Sequence, residues 1–375
     1  MRYNPGVRIL QICSARAIGG GERHVMALAN QLTRRGHNVF VALTPGSSLR
    51  PELRDVPAGN IVEVNIRNAL SLGSAVRLAR FARTQGIEII HAHVGRDYPL
   101  AAVAAGRTGA QLILTRHVLF PLRRVHRLTL RRTARVIAVS RAVAEALRRQ
   151  QIFPAQKICI IHNGVDVDRF TRPRNPSARH GPRWRIGAVG ELAPVKGYDD
   201  LINAARQVIE RKPDVEFIIA GEDKSRGGEH RRHLVELISS LGLNEQIKLS
   251  GWADDPAELL ATFDLFVSTS RSESFGMAIA EAMAAGLPVI ATASEGAAEI
   301  IEADRTGKLV PIGNREAIAE AVVELLNDEE ERTRLGLNAQ AAARERFSID
   351  RMIKETEQLY GEVLSCGLTD AQLAQ

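Results

Sequence analysis

The residues best suited to chemistry lie in the stretch SESFGMAIAEAMAAGLPVIATASEGAAEII, which follows the strand-like run LFVST and opens a helix at about Phe275. Glu273 sits in the loop before that helix and Glu281 about two turns inside it, an offset that keeps both on one side of the element. Glu281 falls among alanines on a largely apolar helix, where a buried carboxylate needs partners, and ribose hydroxyls would serve. Gly276 and Met277 present backbone N–H groups at the helix start, suited to a diphosphate. In VGELAPVKGYDDLINAA, Lys196 stands between a strand and a helix, where an ammonium group can neutralise a departing diphosphate without a metal. Gly19, Gly20 and Gly21 follow the strand-like VRILQI and precede a helix, so they form either a tight turn or a close backbone approach to a phosphate. The pattern is not GxGxxG, and no acidic residue closes the second strand, which argues against a dinucleotide site. His91 and His93 are two apart on a strand and so share one face. A metal reading would need a third ligand that the sequence does not place, so no metal is expected there. They are expected to line an acceptor side with Arg96 and Asp97, or to hydrogen-bond locally.

These residues need a scaffold that sets strand ends side by side. Short β-rich apolar runs alternate with helical patterns from end to end. VRILQI, NVFVAL, IVEVNI, IEIIHAH, QLILT, RVIAVS and KICIIH precede the Pro- and Arg-rich RPRNPSARHGPR, and WRIGAVG, VEFIIAG, QIKLSG, LFVST, LPVIAT and GKLVPI follow it. Such alternation predicts parallel sheets with helices on both faces, here two doubly wound α/β domains. The expected boundaries are 1–170 for the first, 171–183 for a linker and 184–345 for the second. A final helix over 346–375 is expected to pack back on the first domain. Ligands of such sheets sit at the carboxyl ends of the strands, which two such domains would turn toward a central cleft. In the last helix Phe347, Met352, Ile353, Leu359 and Val363 form one apolar stripe, with Ser348 as its N-cap.

The chain has 375 residues, 45% hydrophobic and 25% charged, the composition of a soluble protein with sizeable cores. No apolar run approaches the roughly 18–20 residues that cross a bilayer, and the N-terminus lacks the apolar region of a secretory signal. Cys13, Cys159 and Cys366 are widely separated and read as reduced thiols. Charge is uneven: residues 1–180 hold 29 Lys+Arg against 9 Asp+Glu, and 181–375 hold 21 against 34. A first half at +20 suits polyanions. In PLRRVHRLTLRRTARV, Leu122, Val125 and Leu128 recur at helical spacing among arginines, as in a helix lying on an anionic membrane surface or a solvated basic face. Aromatic residues make up only 4% and no RNA or DNA module is recognisable, so nucleic acid is not an expected partner.

Taken together, ESFGMAIAEAMAAGLPVIAT, HNGVDVDRF, GEL…KGYDDLI and the glycine run resemble family 4 of the retaining glycosyltransferases, which have the GT-B fold of two Rossmann-like domains. The resemblance spans nearly the whole chain. It implies that Glu281 holds the ribose hydroxyls of a nucleotide and that Glu273 faces the transferred sugar. It also implies that the backbone at Phe275, Gly276 and Met277 meets sugar hydroxyls and phosphate, and that Lys196 binds and stabilises the diphosphate. Gly20 and Gly21 would close over the same phosphates, and His117 would contact the donor sugar near the reaction centre. Transfer in this family keeps the anomeric configuration, with the departing phosphate helping to deprotonate the acceptor. The donor is expected to be a UDP-sugar used without a metal or other cofactor. The acceptor would be a lipid-linked or saccharide component of lipopolysaccharide, O-antigen or exopolysaccharide, met by a cytoplasmic protein held peripherally on the inner face of the membrane. Trp252 and Asp254 would border the base.

Two positions depart from the family pattern. Glu191 stands where many members have an arginine, so one expected positive charge is missing; Arg16, Arg116 and Arg271 are the candidates to replace it. Glu295 replaces a glycine before Gly296, beside the donor sugar. The rival readings are a non-hydrolysing nucleotide-sugar epimerase, which would need further acid–base residues, and a basic nucleic-acid-binding protein. A pyridoxal-dependent phosphorylase would be far longer.

Overall fold

A computed structural model describes residues 6–66, 72–171 and 183–373 of the chain; all but the end residues of the expected linker lie outside them. The chain forms two units, Met1–Gly164 with Ile349–Gln375, and Val165–Ser348.

In the first unit the order is β1 (Arg8–Cys13), α1 (Gly20–Arg34), β2 (Asn38–Leu43), β3 (Ile61–Glu63), α2 (Leu72–Thr84), β4 (Ile89–Ala92), α3 (Tyr98–Thr108), β5 (Gln111–Arg116), α4 (His126–Thr129), β6 (Arg135–Ala138), α5 (Arg141–Gln150) and β7 (Ile158–Ile160). The second runs α6 (Val167–Phe170), β8 (Trp184–Val189), α7 (Tyr198–Arg211), β9 (Val215–Ala220), α8 (Glu229–Ser240), β10 (Ile247–Gly251), α9 (Pro256–Ala261), β11 (Leu265–Ser268), α10 (Met277–Ala284), β12 (Val289–Thr292), α11 (Glu295–Ile300), β13 (Lys308–Val310), α12 (Arg315–Asn327) and α13 (Glu329–Arg346). The final helix α14 (Ile349–Leu373) belongs to the first unit. Each of the thirteen apolar runs read from the sequence is a strand.

The first sheet has the order β3-β2-β1-β4-β5-β6-β7 and the second β10-β9-β8-β11-β12-β13. Neighbours pair in parallel, for example Ile9 with Val39 on one side and with Ile89 on the other. Inner strands are buried on both faces, β12 at all four positions and β1 at five of six, because helices cover both sides of a parallel sheet. Strand order reverses between β1 and β4 in one sheet and between β8 and β11 in the other, and ligands of doubly wound sheets bind at such reversals.

The stripe on the last helix is divided. Met352, Ile353, Leu359 and Val363 are buried in the core of the first unit with Ile9, Ile89 and Ile113. Each such side chain contributes about 1.5–3 kcal/mol on burial. Phe347 instead ends α13 in the second unit, its ring 5.6 Å from that of Phe275. Where the chain enters α14, Gly164 lies against it so closely that a Cβ there would stand 2.6 Å from the Ile349 Cα. That explains the glycine of HNGVD.

The arginine-rich segment is not the long helix expected. Only His126–Thr129 is helical; Phe120, Val125 and Leu128 are 78, 58 and 76% exposed, while Leu130 is buried. The arginines flanking a single turn give no continuous i→i−4 ladder, and Leu130 anchors the loop from within. Among the described residues no helix is long and apolar enough to cross a membrane.

Candidate functional site

In the second unit, the carboxyl ends of β8, β11 and β12 carry the chemistry read from the sequence. After β8 the chain passes through a single 3-10 turn, Pro194–Lys196, and turns at Gly197, whose φ is +64°. A Cβ at Gly197 would lie 2.3 Å from the Thr269 carbonyl oxygen, so only glycine fits. Thr269 Oγ1 donates to the Lys196 carbonyl at 2.9 Å, and Arg271 N donates to the Val195 carbonyl at 2.8 Å. The lysine backbone is thus fastened to the end of β11. Its Nζ donates to Glu273 Oε1, which also accepts from Ser270 Oγ at 2.8 Å. Lys196 and Glu273, 77 residues apart in sequence, are therefore direct partners.

Beyond Glu273 the loop is shaped by two glycines. Gly296 N donates to the Glu273 carbonyl at 3.0 Å, and a Cβ on Gly296 would come within 2.7–2.8 Å of the Phe275 and Glu273 carbonyl oxygens. Gly276, at φ +99°, is the N-cap of α10. The helix begins at Met277 rather than Phe275, which leaves the Met277 N–H at the first helical position, with the anion-favouring end of the dipole behind it. Phe275 is 2% exposed and serves the core through its ring. Glu281 is the fifth residue of α10, just over one turn in rather than two, and is 5% exposed between the fully buried Ala280 and Ala282.

None of the three arginines considered from the sequence stands beside Glu191. Arg271 is engaged by Asp200 at 2.9 Å and Asp199 at 3.3 Å, and the Asp200 hydrogen bond raises its pKa further. Its role is to position the lysine loop. Arg116 Nη2 donates to the Phe120 carbonyl, and Arg16 is exposed in the first unit. Lys224 is the cation that stands beside Glu191, its Nζ 3.9 Å from the carboxylate. It follows β9, the neighbour of β8, so adjacency of parallel strand ends was the signal that could have found it. Glu295 is exposed and accepts from Ser272 Oγ at 3.2 Å. Trp252, after β10, is 43% exposed.

In the first unit, Gly20 and Gly21 are the first residues of α1 rather than a loop, with Gly19 as the N-cap. A Cβ on Gly21 would sit 3.2 Å from His117 Cγ, so the bare helix start lets the His117 ring close against it. His117 directly follows β5. Around it stand His24, from α1, at 4.8 Å between ring centroids, and His93, from the end of β4, at 5.8 Å. His91 and His93 do share a face, their rings 4.2 Å apart. His91 is fully committed, to Tyr360 Oη at 2.6 Å and Thr115 Oγ1 at 2.7 Å. His93 Nε2 pairs with Gln11 Oε1 at 2.6 Å, and Gln11 Nε2 donates to Tyr360 Oη at 3.2 Å.

Burial holds these imidazoles neutral. It pulls the pKa of His24 down to about 4, against a weaker opposing pull from Asn163, which is close but outside hydrogen-bond geometry. His93 and His117 are pushed well below the usual range by the same desolvation, reinforced by the neighbouring histidines. Both ring nitrogens of His24 and of His117, and Nδ1 of His93, are buried with no hydrogen-bond partner among the described residues. Each such orphan costs about 1–3 kcal/mol, a debt that a ligand would cancel. Arg96 donates to Ser14 Oγ and to the Ser14 carbonyl, both at 2.6 Å. Asp97 accepts from Ser14 N at 2.8 Å. Burial raises the Asp97 carboxyl to about pH 6.

Residues 18–169 match the model of glycosyltransferase family 4 and residues 170–342 that of glycosyl transferases group 1. A D-inositol 3-phosphate glycosyltransferase of Salinispora tropica is 29% identical over 87% of this chain and 74% of its own. A lipopolysaccharide core biosynthesis glycosyltransferase, LpsE, of Rhizobium meliloti is 28% identical over 84% of this chain and 88% of its own. The crystal structure of Anabaena HepE in complex with UDP-glucose superposes with a TM-score of 0.83 at 25% identity, covering 96% of this chain and 99% of that one.

Proposed function

The chain belongs to the group 1, family 4 glycosyltransferases, and from that premise we propose that it moves a sugar from a UDP-sugar, without a metal and with retention of configuration, to a lipid-linked or saccharide acceptor of the cell envelope. The observation that carries the donor half is the pairing of Lys196 with Glu273 beside the bare N-terminus of α10. It brings an ammonium group, a carboxylate and backbone N–H groups together at the strand ends, a set that supports a nucleotide diphosphate site there. Glu281, buried one turn further on, would accept the ribose hydroxyls. Lys196 would take up charge as the diphosphate leaves, and Glu273 would hold hydroxyls of the transferred sugar. His117, neutral at pH 7, would offer a hydrogen bond to the donor sugar rather than a charge. Support for uracil is the likeness to a protein crystallised with UDP-glucose, and support for an envelope acceptor is the likeness to a lipopolysaccharide core enzyme.

The membrane-facing half rests on the segment 118–132. Phe120, Val125 and Leu128 stand exposed among Arg123, Arg124, Arg127, Arg131 and Arg132, also exposed. Apolar groups that insert, ringed by cations, suit an anionic lipid surface even without a long helix.

The test is thermal stabilisation by UDP, GDP, ADP and CMP in the presence of a chelator, followed by NMR of the product's anomeric proton. A rise with UDP alone, absent in Glu281→Ala, and retained configuration are expected. No rise with any nucleotide, or an inverted product, would overturn the reading. Co-sedimentation with anionic vesicles at low salt, lost in Phe120→Ser/Leu128→Ser, checks the surface; protein left in the supernatant removes that part.

A further inference from the structure

We infer that His24, His93 and His117 form a binding site for a transition-metal ion of the Zn2+ class, and that filling it blocks sugar transfer. One nitrogen from each residue lies within 4.8 Å of the other two. Metal–nitrogen bonds of about 2.0–2.1 Å in a tetrahedron require nitrogens about 3.4 Å apart, so the rings close by at most about 1.4 Å, within reach of side-chain rotation. One tautomer is already arranged. Gln11 Oε1 accepts the His93 Nε2 proton, which leaves the lone pair of His93 Nδ1, buried and otherwise without a partner among the described residues, for an ion. Gln11 is itself oriented by Tyr360. This is the outer-shell support that fixes a ligating imidazole. His91, both of whose nitrogens are occupied, is excluded as a ligand.

The donor set also selects the ion. Three imidazoles with no carboxylate among them suit Zn2+, Co2+, Ni2+ or Cu2+ and not the oxygen-seeking Mg2+ or Ca2+. Three protein ligands leave a fourth position for water. Because His117 would be one ligand, one of its two ring nitrogens and the orientation of its ring would be committed to the ion and could no longer adjust to the donor sugar, so the ion acts as an inhibitor. The inhibitory part rests on the transferase reading above; the binding part does not.

The experiment uses the full chain, stripped with EDTA and titrated with Co2+. The background is His230→Gln, which removes the separate surface pair His230–His233, whose rings are 5.9 Å apart. Visible d–d absorption saturating at one equivalent is expected, bleached by Zn2+, lost in His24→Gln and shifted to about 10–100-fold weaker affinity in Gln11→Ala. No absorption, or absorption that survives His24→Gln, overturns the site. Should His24→Gln fail to fold, unchanged Co2+ affinity in Gln11→Ala overturns it equally. In the second arm Zn2+ halts transfer by the unmodified chain and spares His24→Gln, each read against its own metal-free rate. Stoichiometric Co2+ binding without Zn2+ inhibition would leave the site standing and overturn its link to transfer.

Discussion

Replacing Gly197 with alanine isolates how the fold sets Lys196. Two costs arise. The backbone there has φ +64°, which an L side chain adopts at about 1–2 kcal/mol. The added Cβ would also meet the Thr269 carbonyl oxygen at 2.3 Å, roughly 1 Å inside contact, an overpacking cost of about 1–3 kcal/mol. Gly242→Ala supplies the control, since its φ is +71° but nothing lies within 4 Å of the new methyl; it should cost only the first amount. Both tryptophans, Trp184 and Trp252, are in the second unit, so urea unfolding followed by their fluorescence reports that unit alone. The expected losses are about 2–5 kcal/mol for Gly197→Ala and about 1–2 kcal/mol for Gly242→Ala. Relieving the clash moves Lys196 by the same ångström, and displacement on that scale costs about 10²-fold in rate. Gly242→Ala should turn over normally. Equal stabilities for the two variants, or full turnover by Gly197→Ala, would refute the claim that this close approach places the lysine.

Lys196→Ala should lower kcat by about 10²–10³-fold with a smaller effect on KM, measured by release of the nucleoside diphosphate; a KM-only change would assign the lysine to ground-state binding. Glu273→Gln should bind UDP at least as tightly as the unmodified chain in calorimetry while turning over more slowly, and a parallel fall in both would make the carboxylate a prop for Lys196. For Asp97 the folded pKa, about 6, lies above the ordinary carboxyl value of 3.8, so the charged form is disfavoured on folding. The destabilisation is fully present above pH 6, fades as pH falls toward 4, and reaches about 3 kcal/mol. Asp97→Asn should therefore raise Tm at about pH 8 and little at about pH 4, and a gain independent of pH would contradict the assignment. Gly164→Ala should destabilise the first unit by about 1–3 kcal/mol, because its methyl meets the Ile349 backbone rather than a movable side chain; calorimetry showing no loss would remove that contact from the account.

The thirteen strands were legible because a parallel sheet buried on both faces demands continuous apolar runs, and helices between them show their own spacing. The candidate site residues in the second unit were legible for a related reason: Lys196 and Glu273 lie in the loops between a strand and the next helix, and such loops stand at the carboxyl ends of the strands. What the sequence hid were pairings across elements. The Lys196–Glu273 contact depends on β8 lying beside β11, an order fixed by crossovers and not by local pattern. The histidines tell the same story. His91 and His93 could be put on one face by periodicity, but His24 and His117 reach them only because α1 starts with glycines and β5 lies next to β4. The arginine-rich segment failed differently: regular apolar spacing suggested a helix, yet local periodicity is a weak argument where side chains remain exposed and packing stabilises no helical face.

The cations at the candidate site of the second unit are paired before any ligand arrives. Lys196 is paired with Glu273, Arg271 and Arg315 with Asp200, and Lys224 faces Glu191. On the proposed reading a diphosphate would displace the Glu273 carboxylate from Lys196, with Ser270 still donating to Glu273 at 2.8 Å. Exchanging one anion for another gains little in the ground state. The gain grows as the leaving group takes on charge, while the released carboxylate turns to neutral hydroxyls that it binds without repulsion. Interactions that strengthen only along the reaction raise the rate rather than the affinity. On the proposed reading a pre-paired lysine would thus be better suited to transfer than an unpaired one, and a site carrying Glu191 in place of a second cation would still favour departure of the diphosphate.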